Sequence, residues 1–545
     1  MTLDAGPGHL FVVHGDLNAL ACQDVVVPCD SEGYISGWFR PLVGMPEGGW
    51  VRPPDVTLPP DFLTADRTPV EMPVRQGHPR PWLTNTARWK SGGPPDVGWL
   101  VSGIRTALRQ AAEAPPSEVS GVRRARRLIA LPAVGLGLGG FDHLRAEVIE
   151  RLTAELQDFV STPGAPDVAL VLRERADYDV IQARRPVSGA DGISQTARST
   201  VDRLAERVRA GEVTFFLGAG VSMAAGLPSW TELLDQLAGR AGLALSPQDM
   251  SKLPAQDLAS LVQDALEGGP PLVALLQELL GGTALHALAH ALIASMRPAE
   301  VITTNYDDLY ERAAEVPFEG ALRVLPAERA AVDSPWLLKM HGDLKDTHNP
   351  PVLTREDYIR FDADRLPLAA VVQSRLFTRH VVFVGYSLAD DNFIRLARQV
   401  REALKAARSG SRDGSPLTEG ADAVGTVLTL SPEPAKTALW GRDVVHLAVQ
   451  DEPLVGPESH LEAARQLEIL LDLLASSSHD GRSYLMDDRY VGLLTSQEGR
   501  IRDALLALRD ATSPRREAGR VARRVDLLLG ELGARSQPGA GRRRR

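Results

Sequence analysis

The sequence predicts an α/β protein in three parts: a first α/β domain, a second one built on a parallel sheet, and a helical C-terminal region. Short apolar runs alternate with amphipathic stretches along most of the chain, which is the pattern of strands joined by crossover helices. The length of 545 residues also exceeds that of a usual single domain. Chain length and periodicity therefore both predict more than one hydrophobic core.

The composition excludes several classes of protein. Hydrophobic residues make up 44% and charged residues 24% of the chain, values near the globular average. The net charge of −10 argues against general binding to nucleic acid or to membrane surfaces. No apolar run reaches the roughly 18 residues of a spanning helix, and no basic and then apolar leader begins the chain. We therefore expect a cytoplasmic protein that does not bind membranes.

The cysteine content bears on metal and disulfide sites. The sequence contains two cysteines, Cys22 and Cys29. This number excludes a four-cysteine zinc site and a disulfide framework. We therefore expect no metal, and we interpret both thiols as small buried hydrophobic groups.

Residues 1–185 carry the first set of predicted strands and helices. The predicted strands are 10–14, 24–28, 127–134 and 167–173. Between them, apolar residues spaced three or four apart predict helices through 99–108 and 144–156. This alternation predicts an α/β domain.

A stretch rich in Gly, Ser and Pro at 185–197 predicts a linker, and a second domain is predicted at 198–450. Its first helix is predicted at 198–210, and its predicted strands are 213–217, 301–304, 336–340, 381–386 and 424–430. Ser229 and Glu232 have capping-box spacing, which predicts that a helix begins at Trp230. Helical stretches separate most of the strands, so we expect a largely parallel sheet.

Residues 457–535 are predicted to form the helical C-terminal region, with leucine-rich stripes at 467–474 and 501–508. The stretch 409–420 predicts a surface loop, and the residues after 535 predict a tail. Several arginines follow position 514 on this acidic chain. We favour a solvated helix face for them over a nucleic-acid contact.

Two groups of residues at predicted strand ends could hold a nucleotide. The glycine turn GAGVS at 218–222 can bring backbone N–H groups to a diphosphate. Position 223 is Met, so the GxGxxG fingerprint is not met and a hydride-transfer dehydrogenase is disfavoured. The second group, TTNYD at 303–307, contains Asn305, which can hold a ribose hydroxyl or a water. Each group also fits a plain turn.

Two further groups follow later strands. In His341-Gly342-Asp343, the histidine titrates near neutrality and suits a general base. In GYSLADD at 385–391, a small serine and an open backbone can meet a phosphate or a ribose. The alternatives are a structural histidine and a strand-to-helix turn with an Asp cap. All the groups stand at strand ends of one predicted sheet, the edge where such sheets bind ligands.

Together, GAGVSMAAGLPSW, TTNYD, HG and GYSLADDNF resemble the sirtuin-like NAD-binding domain, in particular the bacterial branch that hydrolyses NAD in anti-phage defence. The resemblance covers roughly residues 198–450 and implies a Rossmann-like sheet with NAD as substrate. It implies that Asn305 and His341 are catalytic, with His341 as the base. The residues that it places around NAD are Gly218, Ala219, Gly220, Ser222, Trp230, Thr304, Asp307, Gly385 and Ser387.

The chain departs from sirtuin deacylases at two points. Leu227-Pro228 is followed by Ser229-Trp230-Thr231 where those enzymes carry Asp-Phe-Arg, and no cysteine follows Cys29. The resemblance therefore implies cleavage of NAD to nicotinamide and ADP-ribose, as an abortive-infection effector. One alternative is NAD-dependent deacylation or ADP-ribosylation of a protein, which needs an acceptor. Another is a non-catalytic regulator that senses NAD or ADP-ribose.

The first domain resembles macro domains that bind ADP-ribose. The matching segments are 15–17, the strand 24–28 and the glycine-rich stretch 131–140. Residues 29–32 read CDSE where many macro domains have Asn-Ala-Ala-Asn, which disfavours a hydrolytic macro activity. The resemblance implies an ADP-ribose-type nucleotide as ligand, and a packing domain with a glycine turn is the alternative. We expect a trigger, either this nucleotide or a phage-derived or host protein, and a homo-oligomer.

Overall fold

The computed structural model describes the chain apart from its ends and several short segments. The residues outside the description are 1–5, 47, 55, 88–95, 117–121, 138, 187–192, 194, 244, 251, 268, 283, 347, 410–422, 513–518 and 535–545. Nearly all of the loop predicted at 409–420, part of the linker predicted at 185–197 and the predicted tail therefore lie outside the described residues.

The first sheet contains six strands. They are β1 (Leu10–His14), β2 (Asp24–Cys29), β3 (Val70–Glu71), β4 (Arg80–Asn85), β5 (Leu128–Pro132) and β6 (Asp167–Leu172). Their order is β1-β6-β5-β2-β4-β3, and all pairs are parallel except β3 with β4. The four strands predicted in this region are present. Strand β4 was not predicted, because its sequence RPWLTN lacks an apolar run.

Three helices accompany this sheet: α1 (Val97–Glu113), α2 (Arg145–Val160) and α3 (Arg175–Gln182). The Asp96 side chain accepts a hydrogen bond from the Gly98 N–H and caps α1. The apolar faces of α1 and α2 pack in one buried cluster with side chains of the sheet, including Val12 and Leu170. The periodicity of the sequence predicted both faces correctly.

The second sheet contains seven strands. They are β7 (Val213–Leu217), β8 (Glu300–Thr303), β9 (Arg323–Leu325), β10 (Trp336–Lys339), β11 (His380–Val384), β12 (Gly425–Thr429) and β13 (Val444–Ala448). Their order is β13-β12-β11-β7-β8-β10-β9, and every pair is parallel. This confirms the largely parallel sheet. Strands β9 and β13, at the two edges, were not predicted.

Helices connect these strands. They are α4 (Gln195–Arg209), α5 (Trp230–Arg240), α6 (Pro247–Met250), α7 (Ala255–Ala265), α8 (Leu272–Leu280), α9 (Leu288–Ser295), α10 (Leu309–Phe318), α11 (Arg355–Asp364), α12 (Leu366–Thr378), α13 (Asp391–Ser409) and α14 (Pro434–Trp440). Helix α4 begins at Gln195, three residues before the predicted start. The capping box of α5 is present, with Ser229 accepting from the Glu232 N–H at 3.3 Å and Glu232 accepting from the Ser229 N–H at 2.8 Å.

The C-terminal region is helical, as predicted, and contains α15 (Gly456–Ser477), α16 (Ser496–Thr512) and α17 (Gly519–Glu531). Helix α15 packs against α4, α9 and β1. Two buried ion pairs connect α15 with the first α/β region: Arg465 pairs with Asp167 of β6 at 2.9 Å, and Asp472 pairs with Arg185, which follows α3, at 2.6 Å. This helix therefore joins the two sheets.

The two sheets share one buried apolar cluster, in which Phe11 of β1 and Phe215 of β7 both take part. Polar contacts across the junction hold α9 in place. The Ala21 N–H donates to the His286 carbonyl at 2.9 Å, and the His14 N–H donates to the Ser295 hydroxyl at 2.9 Å. Removing the first sheet would therefore expose the buried side of α9.

Candidate functional site

The site lies where four neighbouring strands of the second sheet end. The register pairs Leu217 with Thr303 and Val384, and Thr303 with Lys339, so these strands end at one level. A cavity of about 720 Å³ opens there. The predicted site residues that line it are Ala219, Gly220, Ser222, Trp230, Thr304, Asn305, Asp307, His341, Gly385 and Ser387. The structure thus brings all four strand-end groups together.

The turns after β7 and β11 touch backbone to backbone. The Gly220 N–H donates to the Gly385 carbonyl at 3.0 Å. Gly385 has a φ of +61°, and a Cβ placed there would lie 2.4 Å from the Val221 nitrogen. A Cβ on Gly218 would lie 2.4 Å from the Gly385 carbonyl oxygen. Both positions therefore require glycine.

Hydrogen bonds to the glycine turn after β7 orient the Asn305 side chain. Its Nδ2 donates to the Gly218 carbonyl at 3.1 Å and to the Ser222 hydroxyl at 3.3 Å. Because a carbonyl oxygen can only accept, the amide nitrogen must face Gly218. Gly218 does not line the cavity, but its carbonyl holds the Asn305 amide nitrogen in place. The Asn305 Oδ1 therefore points away from Gly218 and can accept a hydrogen bond.

Ser222 connects Asn305 with Asp307. The Ser222 hydroxyl donates to Asp307 Oδ2 at 3.0 Å, and Asp307 Oδ1 accepts from the Leu309 N–H at 3.1 Å. Burial raises the pKa of the Asp307 carboxyl. The Lys339 ammonium group donates a hydrogen bond to the Asp307 backbone carbonyl at 2.7 Å. This bond connects β10 with the residues just before α10.

Three other predicted residues also line the cavity. Trp230 is the first residue of α5, and its ring centroid lies 6.2 Å from that of Tyr306. Thr304 follows β8, and its N–H donates to the Leu217 carbonyl at 3.4 Å. The Ser387 hydroxyl accepts from the Ala389 N–H at 3.4 Å.

His341 is buried and lies two residues after the end of β10. Its ring packs edge-to-face against Tyr358 and Phe361, with centroid distances of 5.7 and 5.9 Å. Burial lowers the pKa of His341, which favours the neutral imidazole that a base requires. Among the described residues, Nε2 has no hydrogen-bond partner, and the carboxylate of Asp390 lies 3.7 Å away.

One wall of the cavity, formed by α7 and α11, was not predicted from the sequence. Arg355 and Tyr358 of α11 line the cavity together with Gln256 of α7. Arg355 binds Asp257 through two hydrogen bonds of 2.7 and 3.1 Å. These residues follow no strand, so no strand-end motif in the sequence indicates them. The capping box of Thr354 would have located the start of α11.

The described residues contain no group of three or more His, Cys, Asp or Glu side chains arranged to hold a metal ion. Cys22 and Cys29 are buried free thiols, which confirms their interpretation as hydrophobic groups. None of the helices in the described part of the chain has the length and apolar character needed to cross a membrane.

Two of the segments that resemble macro domains, 15–17 and 131–140, form turns next to strands of the first sheet. The Asp16 carboxylate accepts from the Asn18 N–H at 2.9 Å and caps a short helical turn. The glycine-rich stretch after β5 folds back on itself and brings Gly139 close to Gly135. A Cβ on Gly139 would lie 2.7 Å from the Gly135 Cα. Leu138 of this stretch lies outside the described residues.

A family model matches the part of the chain that carries three of the four strand-end groups. Residues 299–414 match the SIR2-like domain. The matched SIR2-like residues include Asn305, His341 and Gly385, whereas the glycine turn at 218–222 precedes them. The sirtuin resemblance of these motifs is thereby confirmed.

Two named curated proteins are similar to part of the chain. "NAD(+) hydrolase ThsA" of Enterococcus faecium is 30% identical over 214 residues, which cover 38% of this chain and 43% of that protein. "Defense-associated sirtuin 2" of Bacillus subtilis is 29% identical over 215 residues, which cover 38% of this chain and 21% of that protein. The chain thus spans less than half the length of the curated relatives it matches.

Two solved structures resemble parts of the chain. A Sir2 enzyme structure covers 50% of this chain and 96% of its own, with 15% identity and a TM-score of 0.26. An Oceanobacillus iheyensis macrodomain variant with ADP-ribose covers 34% of this chain and 95% of its own, with 16% identity and a TM-score of 0.24.

Proposed function

We propose that the cavity binds NAD and that the protein hydrolyses it to nicotinamide and ADP-ribose. One observation carries the proposal: the oriented amide of Asn305 and the buried imidazole of His341 line the same cavity as the glycine turn. In the described part of the chain, Nε2 of His341 has no hydrogen-bond partner. The relative named NAD(+) hydrolase supports the same chemistry. The glycine contact between the turns lets the diphosphate approach the backbone closely.

The residues of the cavity suit cleavage of the bond between the nicotinamide nitrogen and the ribose C1′. As this bond breaks, its electron pair goes to the nicotinamide nitrogen and positive charge develops on the ribose. Asn305 Oδ1 would hold the attacking water or a ribose hydroxyl. The water oxygen bonds to C1′, and its proton passes to Nε2 of His341 and then to solvent. Such positioned proton transfer contributes roughly 100- to 10,000-fold.

The test is to incubate the full-length protein with NAD and measure the products by chromatography. Micromolar protein and long incubation make a low basal rate measurable, and EDTA is present because we expect no metal to take part. We expect equal amounts of nicotinamide and ADP-ribose. Product that forms only after a protein acceptor is added would instead indicate a deacylase or ADP-ribosyltransferase, and NAD binding without turnover would indicate a sensor.

The activity should persist below neutral pH. His341 accepts a proton only when it is neutral, and its burial lowers its pKa from 6.5. The rate should therefore be lost as pH falls through a midpoint below 6.5 and stay high above it. A profile of kcat/KM from pH 4.5 to 8.5, with circular dichroism at each pH, measures this midpoint. A midpoint above 7 in folded protein would contradict the assignment of His341.

We further propose that this hydrolase is a cytoplasmic, homo-oligomeric effector of abortive infection, in which residues 1–185, 198–450 and 457–535 act as sensor, catalytic and helical units. The relative named defense-associated sirtuin supports the defence role. The contacts of α9 support control of the site by the first unit. This helix is bonded to β1 through His14, and its His290 Nε2 lies 3.5 Å from the Ser222 hydroxyl.

Activity should therefore be low in the isolated protein and rise when a trigger binds. The trigger would be an ADP-ribose-type nucleotide on the first unit, or a phage-derived or host protein. A hundredfold rise requires about 2.8 kcal/mol of preferential binding to the active state. Adding ADP-ribose to full-length protein and following nicotinamide release and the oligomeric state tests the nucleotide. Maximal hydrolysis with nothing added would contradict this control.

A further inference from the structure

Asp390 directly precedes α13 and lines the same cavity as His341. Its Oδ1 accepts from the Phe393 N–H at 2.9 Å, which caps α13, and its Oδ2 accepts from the Tyr358 hydroxyl at 2.8 Å. The side chain is only 11% exposed. Donors from two different helices thus hold both carboxylate oxygens in place.

This carboxylate faces the imidazole of His341. Asp390 Oδ1 lies 3.7 Å from His341 Nε2, too far for a hydrogen bond but close enough for strong attraction to a protonated ring. Tyr358 contacts both groups, because its ring packs on His341 and its hydroxyl donates to Asp390. The neighbouring turn requires glycine, since Gly342 has a φ of +95°, and this limits the movement of His341.

We propose that Asp390, held by Tyr358, is a positioning residue that stabilises the protonated form of His341 during hydrolysis. The inference rests on the proposed function. When the attacking water transfers its proton to Nε2, the new N–H bears a positive charge next to a fixed carboxylate. The proton then leaves to solvent, so no further reactant is needed. Asp390 also lines the cavity, but in this step it acts through His341 and does not accept the proton.

The other charged and titratable groups around the pair do not replace this carboxylate. Arg365, at the end of α11, opposes the protonation of His341, whereas Asp390 favours it. Lys339, on the strand before His341, is paired with Glu311 and Asp343 at 3.0 and 3.1 Å. Arg355 and Asp391, which also line the cavity, lie 4.0 Å from each other. Tyr306, Tyr358 and Tyr386 are further neighbours, and the electrostatic influence of Asp390 helps to raise their pKa values, after burial as the main cause.

The decisive variant is Asp390→Asn, because Asn removes the charge and can still cap α13. We expect kcat for NAD hydrolysis to fall about tenfold with KM within about twofold. The acid limb of the pH profile should move to lower pH, since loss of the carboxylate lowers the pKa of His341. Tyr358→Phe keeps the ring contact and should cause a smaller fall in kcat.

Glu356→Gln is the matched control. Glu356 lies on α11, its side chain is 68% exposed, and it pairs with Arg360, so its loss should leave rate and pH profile unchanged. Thermal unfolding of each variant identifies a folding defect. An Asp390→Asn protein whose kcat and acid limb equal those of the unaltered protein would overturn the inference. If the unaltered protein releases no nicotinamide, the proposed function itself fails.

Discussion

Replacing His341 or Asn305 by alanine is expected to reduce NAD cleavage at least tenfold while leaving the fold and NAD affinity largely intact. His341→Ala removes the only proposed proton acceptor, a contribution of roughly 100- to 10,000-fold. Asn305→Ala removes the acceptor oxygen that would orient the ribose and the water. Affinity should persist because the cavity still offers the glycine turn, Trp230 and Ser387 to the dinucleotide.

Nicotinamide release and NAD affinity should be measured separately for each variant, by chromatography and by calorimetry. His348→Ala is the matched control, because His348 is exposed on the loop after β10 and lies outside the cavity. Its hydrolysis should be normal. Near-normal hydrolysis by both His341→Ala and Asn305→Ala would contradict the catalytic assignment.

Gly385→Ala is expected to destabilise the protein and to abolish NAD cleavage. The added Cβ would lie 2.4 Å from the Val221 nitrogen, at a residue whose φ is +61°. The Val221 nitrogen is a backbone atom and cannot rotate away from the new Cβ as a side chain could. The positive φ of residue 385 is also unfavourable for alanine. Strain and overpacking of this kind cost roughly 2–4 kcal/mol. The glycine turn at 218–222 would also move away from the substrate.

Urea unfolding measures the loss in free energy of unfolding, and nicotinamide release measures the loss of activity. Gly239→Ala is the matched control, because a Cβ at this exposed position of α5 meets nothing within 4 Å. It should be neutral or stabilise by up to about 1 kcal/mol through helix propensity. A Gly385→Ala protein with unaltered stability and hydrolysis would show that the two turns need not touch.

Part of the fold could be predicted because the information is local. The run VTFFL at 213–217 forms β7, since an unbroken apolar run followed by glycine suits a strand buried on both faces. The capping box at Ser229 determines the start of α5 by contacts within four residues. Strand β4 escaped prediction because RPWLTN lacks an apolar run and its contacts join residues far apart in the chain, such as Trp82, which donates to Asp24 of β2 at 2.9 Å.

The sequence by itself determined which residues stand at the ends of the buried strands, and thus the membership of Asn305, His341 and Gly385 in one site. Parallel pairing then brings those ends to one edge of the sheet. Only the tertiary structure decided that α11 closes the cavity, that Asp390 faces His341, and that α15 joins the two sheets. The physical reason is that these contacts join residues far apart in the chain, and their geometry depends on how helices pack, which no local periodicity encodes.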